Sequence, residues 1–274
     1  MSLPIAVQVY SIRDVAESDL VGTFRKVKEM GYDGVELAGL YGYTPDYIKG
    51  VCDALGLNPI SAHVPLVDML ADPDGVFADY QKIGCKYVAV PYVTEERRPG
   101  AANFYSTIEE IDKLGAKAKE YGITLLYHNH DFEFKEIDGV HGLDIIYDRI
   151  SPDHLQTELD TCWVNIGGED PAAYIRKYTG RAPVVHLKDF NISGKLPKHL
   201  YALIGLDDEK EDDEPSTFEF RPCGHGMQDM PGILEASKDA GAKWVVVEQD
   251  EPSMGLSRLE SIKASIDYLK SIEW

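Results

Sequence analysis

Three features of the sequence predict a single-domain α/β protein, a (β/α)8 TIM barrel. Apolar, β-branched runs alternate with longer amphipathic stretches, and the alternation repeats eight times, the pattern of a parallel sheet covered by helices. Several amphipathic stretches stop at a glycine, and a further strand-like run follows within a few residues. The length of 274 residues is close to the roughly 250 over which such a barrel closes.

The strand-like runs are Ile5–Tyr10, Gly34–Leu37, Asn58–His63, Lys86–Pro91, Thr124–Asn129, Leu155–Asp160, Pro183–Lys188 and Lys243–Gln249. Helical patterns between them include Leu20–Met30, Pro45–Leu55, Phe104–Tyr121, Pro171–Tyr178, Pro231–Ala240 and Leu256–Ile272. Gly31, Gly56, Gly122 and Gly241 stand just past helix ends, where a left-handed residue commonly stops the helix. An open doubly wound sheet is the competing arrangement. The first strand is not followed by Gly-x-Gly-x-x-Gly, so the dinucleotide-binding version of that sheet lacks support. From Phe190 to Met230 the periodicity lapses, and residues 207–214 read Asp-Asp-Glu-Lys-Glu-Asp-Asp-Glu. A block of like charge is a solvated loop, here an insertion around residues 190–230 of one domain spanning 1–274. It leaves from the mouth of the barrel, where it could act as a lid.

Composition excludes several classes of function. A net charge of −20 opposes binding to nucleic acid, which needs a basic face. No apolar stretch approaches the roughly 18 residues of a membrane span. The N-terminus runs from Met1-Ser2-Leu3-Pro4 straight into a strand-like segment, unlike a signal peptide, and a cytoplasmic protein is expected. Cys52, Cys85, Cys162 and Cys223 form no Cys-x-x-Cys pair, so reduced thiols are expected rather than a zinc knuckle.

The chemistry is concentrated at strand ends. Leu159-Asp160-Thr161, Val185-His186-Leu187 and Val247-Glu248-Gln249 each bring an apolar run to a metal-binding side chain. In a parallel barrel these ends meet at one mouth, where active sites lie. Alternation puts Glu158 beside Asp160, His186 beside Lys188, and Glu248 beside Asp250. Asp160, His186 and Glu248 are therefore predicted ligands of a divalent metal, with manganese, magnesium, cobalt or zinc compatible with oxygen and imidazole donors. The fifth strand ends in Tyr127-His128-Asn129-His130-Asp131-Phe132-Glu133-Phe134. It offers His128 or Glu133 as a fourth ligand, and His128 and His130 as proton-transfer groups. His63, at the end of the third strand, is a candidate substrate contact. Lys188 could neutralise an oxyanion or steer a hydroxyl, and Trp163 with Tyr10 could form an aromatic floor for a sugar ring. Glu158 and Glu248 are the candidate carboxylate bases.

With those residues in place, the chain resembles the xylose isomerase-like barrels, the superfamily of sugar isomerases and epimerases. The likeness runs through Val9-Tyr10-Ser11, Gly34-Val35-Glu36-Leu37, Ser61-Ala62-His63 and the three late strand ends. The stretch from Leu159 to Ile166 looks like the keto-sugar 3-epimerase pattern around a metal-binding Asp. His186 and Glu248 look like that family's metal-binding His and final Glu. The chain departs from the epimerases at Leu125-Leu126-Tyr127-His128, where they carry a Glu, and at Trp163, where they carry a His. Its Tyr-His-x-His pattern looks instead like the inosose dehydratase branch.

The resemblance implies a metal-dependent isomerase or epimerase acting on a carbohydrate, a keto-sugar or keto-cyclitol. A base would remove the proton α to the carbonyl to give an enediolate. Dehydration of an inosose and β-elimination of a 3-keto-glycoside are alternatives on the same site. A sugar-binding barrel without metal is the alternative outside catalysis. Barrels of this superfamily often associate through their outer helices, so a homo-oligomer is compatible with the likeness.

Overall fold

The computed structural model describes residues 2–194, 200–201 and 217–274. Eight parallel strands close into one barrel: β1 (Ile5–Gln8), β2 (Gly34–Ala38), β3 (Asn58–His63), β4 (Tyr87–Val90), β5 (Thr124–His128), β6 (Gln156–Asp160), β7 (Val184–Leu187) and β8 (Trp244–Val247). They neighbour one another in sequence order, and β8 pairs with β1 through Ile5 and Val245. Each of the eight predicted runs falls on a barrel strand, β2 extending one residue further, to Ala38. The first stops two residues early, because the Gln8 side chain accepts a hydrogen bond from the Tyr10 N–H and turns Val9–Ile12 into a 3₁₀ segment.

The helices Leu20–Met30 and Pro45–Leu55 have the predicted bounds. Each ends at a glycine in the left-handed region, Gly31 at φ 99° and Gly56 at φ 63°, a conformation that costs a side chain bearing Cβ. The predicted insertion is not structureless at its ends. Asp189–Ser193 pairs antiparallel with Thr217–Arg221, and Phe190, Phe218 and Phe220 from this ribbon pack with Trp163 in a cluster of their own. The acidic run at 207–214, and with it the expected lid, lies outside the described residues. All four cysteines are free and buried. Among the described residues no helix is long and apolar enough to cross a membrane.

Two cores position the site. The larger lies between strands and helices and takes Val7, Val35, Leu125, Val185 and Val247 from the outward faces of the strands. The smaller fills the barrel interior with Ala6, Ile60, Ala89, Leu126, Val184 and Val246. Side chains two apart on a strand share a face, so the next inward layer toward the C-terminal ends is Gln8, His128, His186 and Glu248. All four are buried. Burying that many polar groups together is costly unless each finds a partner.

Candidate metal centre and active site

Strand register brings the donors to one height. His128 lies opposite Glu158 and Asp160 opposite His186, while Val246, two residues before Glu248, lies opposite His186. One ligand atom from each of His128, Asp160, His186 and Glu248 lies within 4.8 Å of the others, and all four residues are buried. Their chemistry fits a divalent ion, with two imidazoles and two carboxylates. Asp160 divides its oxygens between two tasks. Oδ1 accepts the N–H groups of Cys162 and Trp163 and caps the helix Thr161–Ile166. Oδ2 is buried without a hydrogen bond, 3.8 Å from His128 Nε2 and 3.5 Å from Lys188 Nζ. A buried carboxylate oxygen without a hydrogen bond, beside the His128 imidazole, suits a cation site.

Charge makes the same point. Asp160, Glu248 and Asp250 are buried around one lysine, Lys188, and Glu36 and Glu158 are buried beside His63 and His186. Lys188 Nζ is 2.5 Å from Asp250, 3.3 Å from Glu248 and 3.5 Å from Asp160. Burial pushes the Asp160 carboxyl up to about 7 despite Lys188. Burial and the charge of Glu36 push Glu158 up to about 7. A bound divalent ion would offset charge that the protein alone meets by holding protons.

The other predicted residues divide. His63, His130, Lys188, Glu248, Asp250 and Tyr10 line a cavity of about 930 Å³ at the mouth, and His128 reaches it as well. Tyr10 carries the Arg13 guanidinium 4.1 Å above its ring. His130 stacks on Phe132 at 5.5 Å. Glu158 does not line the cavity. Its Oε1 sits 2.5 Å from His63 Nε2 and 3.2 Å from His128 Nδ1, so it reaches substrate space through these two histidines.

Two expectations are corrected. Glu133 stands outside the donor group, and its oxygens accept the Tyr127 hydroxyl and the His130 N–H at 2.8 Å each. Trp163 is not a floor of the cavity. It is fully buried behind His130, at 5.3 Å between rings, and Lys188, whose Nζ is 5.3 Å from its centroid.

Glu36 escaped the sequence reading as a site residue. It is fully buried on β2, accepts the Gln8 amide at 2.7 Å and the Ser61 hydroxyl, and lies 2.8 Å from His186 Nε2. His186 and His63 hold it down at about 2 against the effect of burial. Its signal was a lone charge inside an apolar strand, in phase with the inward-facing Gly34.

Fold and donor set define the class, a parallel barrel with a buried group of potential metal donors at its C-terminal mouth. The chain belongs to the xylose isomerase-like TIM barrel family, whose family model matches residues 24–272. It is 26% identical over 163 residues to an inosose dehydratase of Lacticaseibacillus casei, a match covering 58% of this chain and 51% of that protein. The chain thus spans about half the length of the curated relatives of this kind. A sugar phosphate isomerase/epimerase from Parabacteroides distasonis superposes with a TM-score of 0.77 at 23% identity, over 98% of both chains. The IolI protein, solved with a zinc atom, gives 0.71 at 18% identity over 99% of this chain and 98% of its own.

Proposed function

We propose that this chain is a metal-dependent isomerase or epimerase of a keto-sugar or keto-cyclitol, acting through proton abstraction α to the carbonyl. The observation that carries this reading is the convergence of His128, Asp160, His186 and Glu248 beside a large cavity. A divalent ion there would act as a Lewis acid toward a carbonyl and an adjacent hydroxyl. Glu248 stands at the cavity on β8. His63, backed by Glu158, stands there on β3, which does not neighbour β8. One of these groups removes the α proton and the other returns it, which gives the enediolate and then its epimer or isomer. Lys188 faces the developing oxyanion, and His130 lines the cavity as a further proton-transfer group. Loss of a β-hydroxyl at the enediolate stage gives the dehydratase outcome instead, and the inosose dehydratase relatives support keeping it.

The test is solvent exchange. Manganese-loaded protein in deuterium oxide is expected to place deuterium at the carbon α to the carbonyl of ketohexoses or inososes, read by NMR. Absence of exchange in every keto-sugar that binds would rule the mechanism out.

A second reading, β-elimination of a 3-keto-glycoside, is favoured by the shape of the cavity. Its volume of about 930 Å³ lies near the top of the roughly 300–1,000 Å³ common for small-molecule sites. One wall is apolar, with Val64, Leu66, Val67, Leu70 and Val93, and could hold an aglycone. Release of aglycone from a 3-keto-glucoside, with free ketoses unchanged, would favour it. The missing Glu of strand five had suggested a sugar-binding barrel without metal. His128 joins the donor set from that strand, which supports the metal reading. Chelation that left sugar binding untouched would restore the alternative.

A further inference from the structure

We propose that Glu36 and Glu158 lie beneath the cation centre as positioning residues and fix which nitrogen of each ligand histidine faces the ion. The proposal rests on the cation centre of the preceding reading. Each imidazole lies between carboxylates. His186 has Nδ1 2.9 Å from Glu248 Oε2, and Nε2, buried without a hydrogen bond, 2.8 Å from Glu36 Oε1 and 3.3 Å from Glu158 Oε1. His128 has Nε2 3.8 Å from Asp160 Oδ2, and Nδ1 3.2 Å from Glu158 Oε1. In both rings one nitrogen faces a carboxylate of the donor set and the other faces a carboxylate outside it.

A ligating imidazole is neutral and carries one N–H, on the nitrogen turned away from the ion. That N–H needs an acceptor, and a carboxylate in this place fixes both the tautomer and the ring orientation. Glu36 is well suited to the task. The Gln8 amide at 2.7 Å and the Ser61 hydroxyl hold its two oxygens, and the residue is fully buried. Oε1, which takes the Gln8 amide, also lies 2.8 Å from His186 Nε2 and can accept a second donor there. Glu158 serves His128 and His63 together, through Oε1. The predicted arrangement is His186 bound through Nδ1 with its proton on Nε2, and His128 bound through Nε2 with its proton on Nδ1.

The competing arrangement is a second ion in the deeper group His63, His128, Glu158 and His186, whose ligand atoms also lie within 4.8 Å of one another. It would need the nitrogens facing Glu36 and Glu158 to be bare.

Two measurements decide between them. Manganese titration of the wild type, Glu36→Gln and Glu36→Ala is expected to show about one ion per chain in each. The affinity should fall by roughly 10–100-fold in Glu36→Ala and less in Glu36→Gln, where an acceptor oxygen survives. Nitrogen-15 NMR of the zinc-loaded wild type should show a proton on His186 Nε2 and on His128 Nδ1, a readout that a merely structural role for Glu36 would not demand. This spectrum needs no variant to fold. Metal on His186 Nε2 overturns the proposal. So does an affinity unchanged in Glu36→Ala, or a second ion that Glu36→Ala or Glu158→Gln removes. A wild type that binds no ion at all removes the centre itself, a result distinct from a centre whose affinity ignores Glu36.

Discussion

His186 Nδ1 lies 2.9 Å from Glu248 Oε2 although 62 residues separate them in the chain. Their strands, β7 and β8, are neighbours in the barrel, and the register that pairs Val246 with His186 sets the contact. The same register carries Lys188 Nζ to 3.3 Å from Glu248. Two potential metal donors and their counter-charge are thus brought together by one strand alignment.

Removing donors should remove the metal. The Asp160→Ala/Glu248→Ala double variant, incubated with manganese and desalted, is expected to hold none, against about one ion per chain for the parent by elemental analysis. Because Asp160 also caps a helix through Oδ1, Asp160→Ala should cost about 1 kcal/mol of stability as well. Asp160→Asn keeps a capping oxygen and separates the two effects. Metal retained by the double variant would place the ion elsewhere.

Lys188→Met should destabilise the metal-free protein by about 3–5 kcal/mol, since it leaves several buried carboxylates without their cation. Bound manganese supplies that charge, so the loss should be smaller in the loaded protein. Urea unfolding with and without metal measures the difference. Equal losses in both states would mean that Lys188 matters through packing against Trp163 and Phe220.

Glu133 should make stability fall as pH rises. Burial pushes its carboxyl from 4.5 up to about 8, against the two hydrogen bonds that it accepts. Between those values the fold keeps a proton that the unfolded chain has released, so the native state binds more protons and loses stability with increasing pH. The contribution is unpenalised below about 4.5 and fully penalised above about 8. Glu133→Gln cannot ionise, and its unfolding free energy should be flatter over this window, by on the order of a few kcal/mol. Parallel pH profiles for the two proteins would show a Glu133 that stays ionised in the fold.

Gly115→Ala should reverse the usual helix rule. In the interior of a helix the change normally stabilises by about 1 kcal/mol. Here the helix Phe104–Glu120 packs so closely that a Cβ at Gly115 would overlap the His154 carbonyl. A net loss of about 1–3 kcal/mol is expected from overpacking, read as a lower Tm. A higher Tm would show that the His154 loop yields freely.

Much of the centre was legible because alternation is a local property. Asp160, His186 and Glu248 each follow an apolar run, and that run announces both the strand and the face. His128 was legible as one of two candidates, and it is the one that lies in the donor group, while Glu133 accepts from Tyr127. The ribbon of 189–193 with 217–221 was not legible. Its pairing spans the acidic run, and its apolar residues answer to Trp163 rather than to a repeat of their own. Glu36 was missed for a related reason. Its partners Gln8, Ser61 and His186 come from three other strands, and nothing near it in sequence names them.

The sequence by itself determined the barrel, its strand segments and which residues share a face on the late strands, since periodicity and helix stops act over a few residues. Tertiary structure alone decided which polar side chains share a height, which carboxylates lie in the donor group and which beside its histidines, and that Trp163 lies behind the cavity. Those outcomes depend on the stagger between strands at closure, and stagger is set by packing across the whole barrel rather than within any one segment.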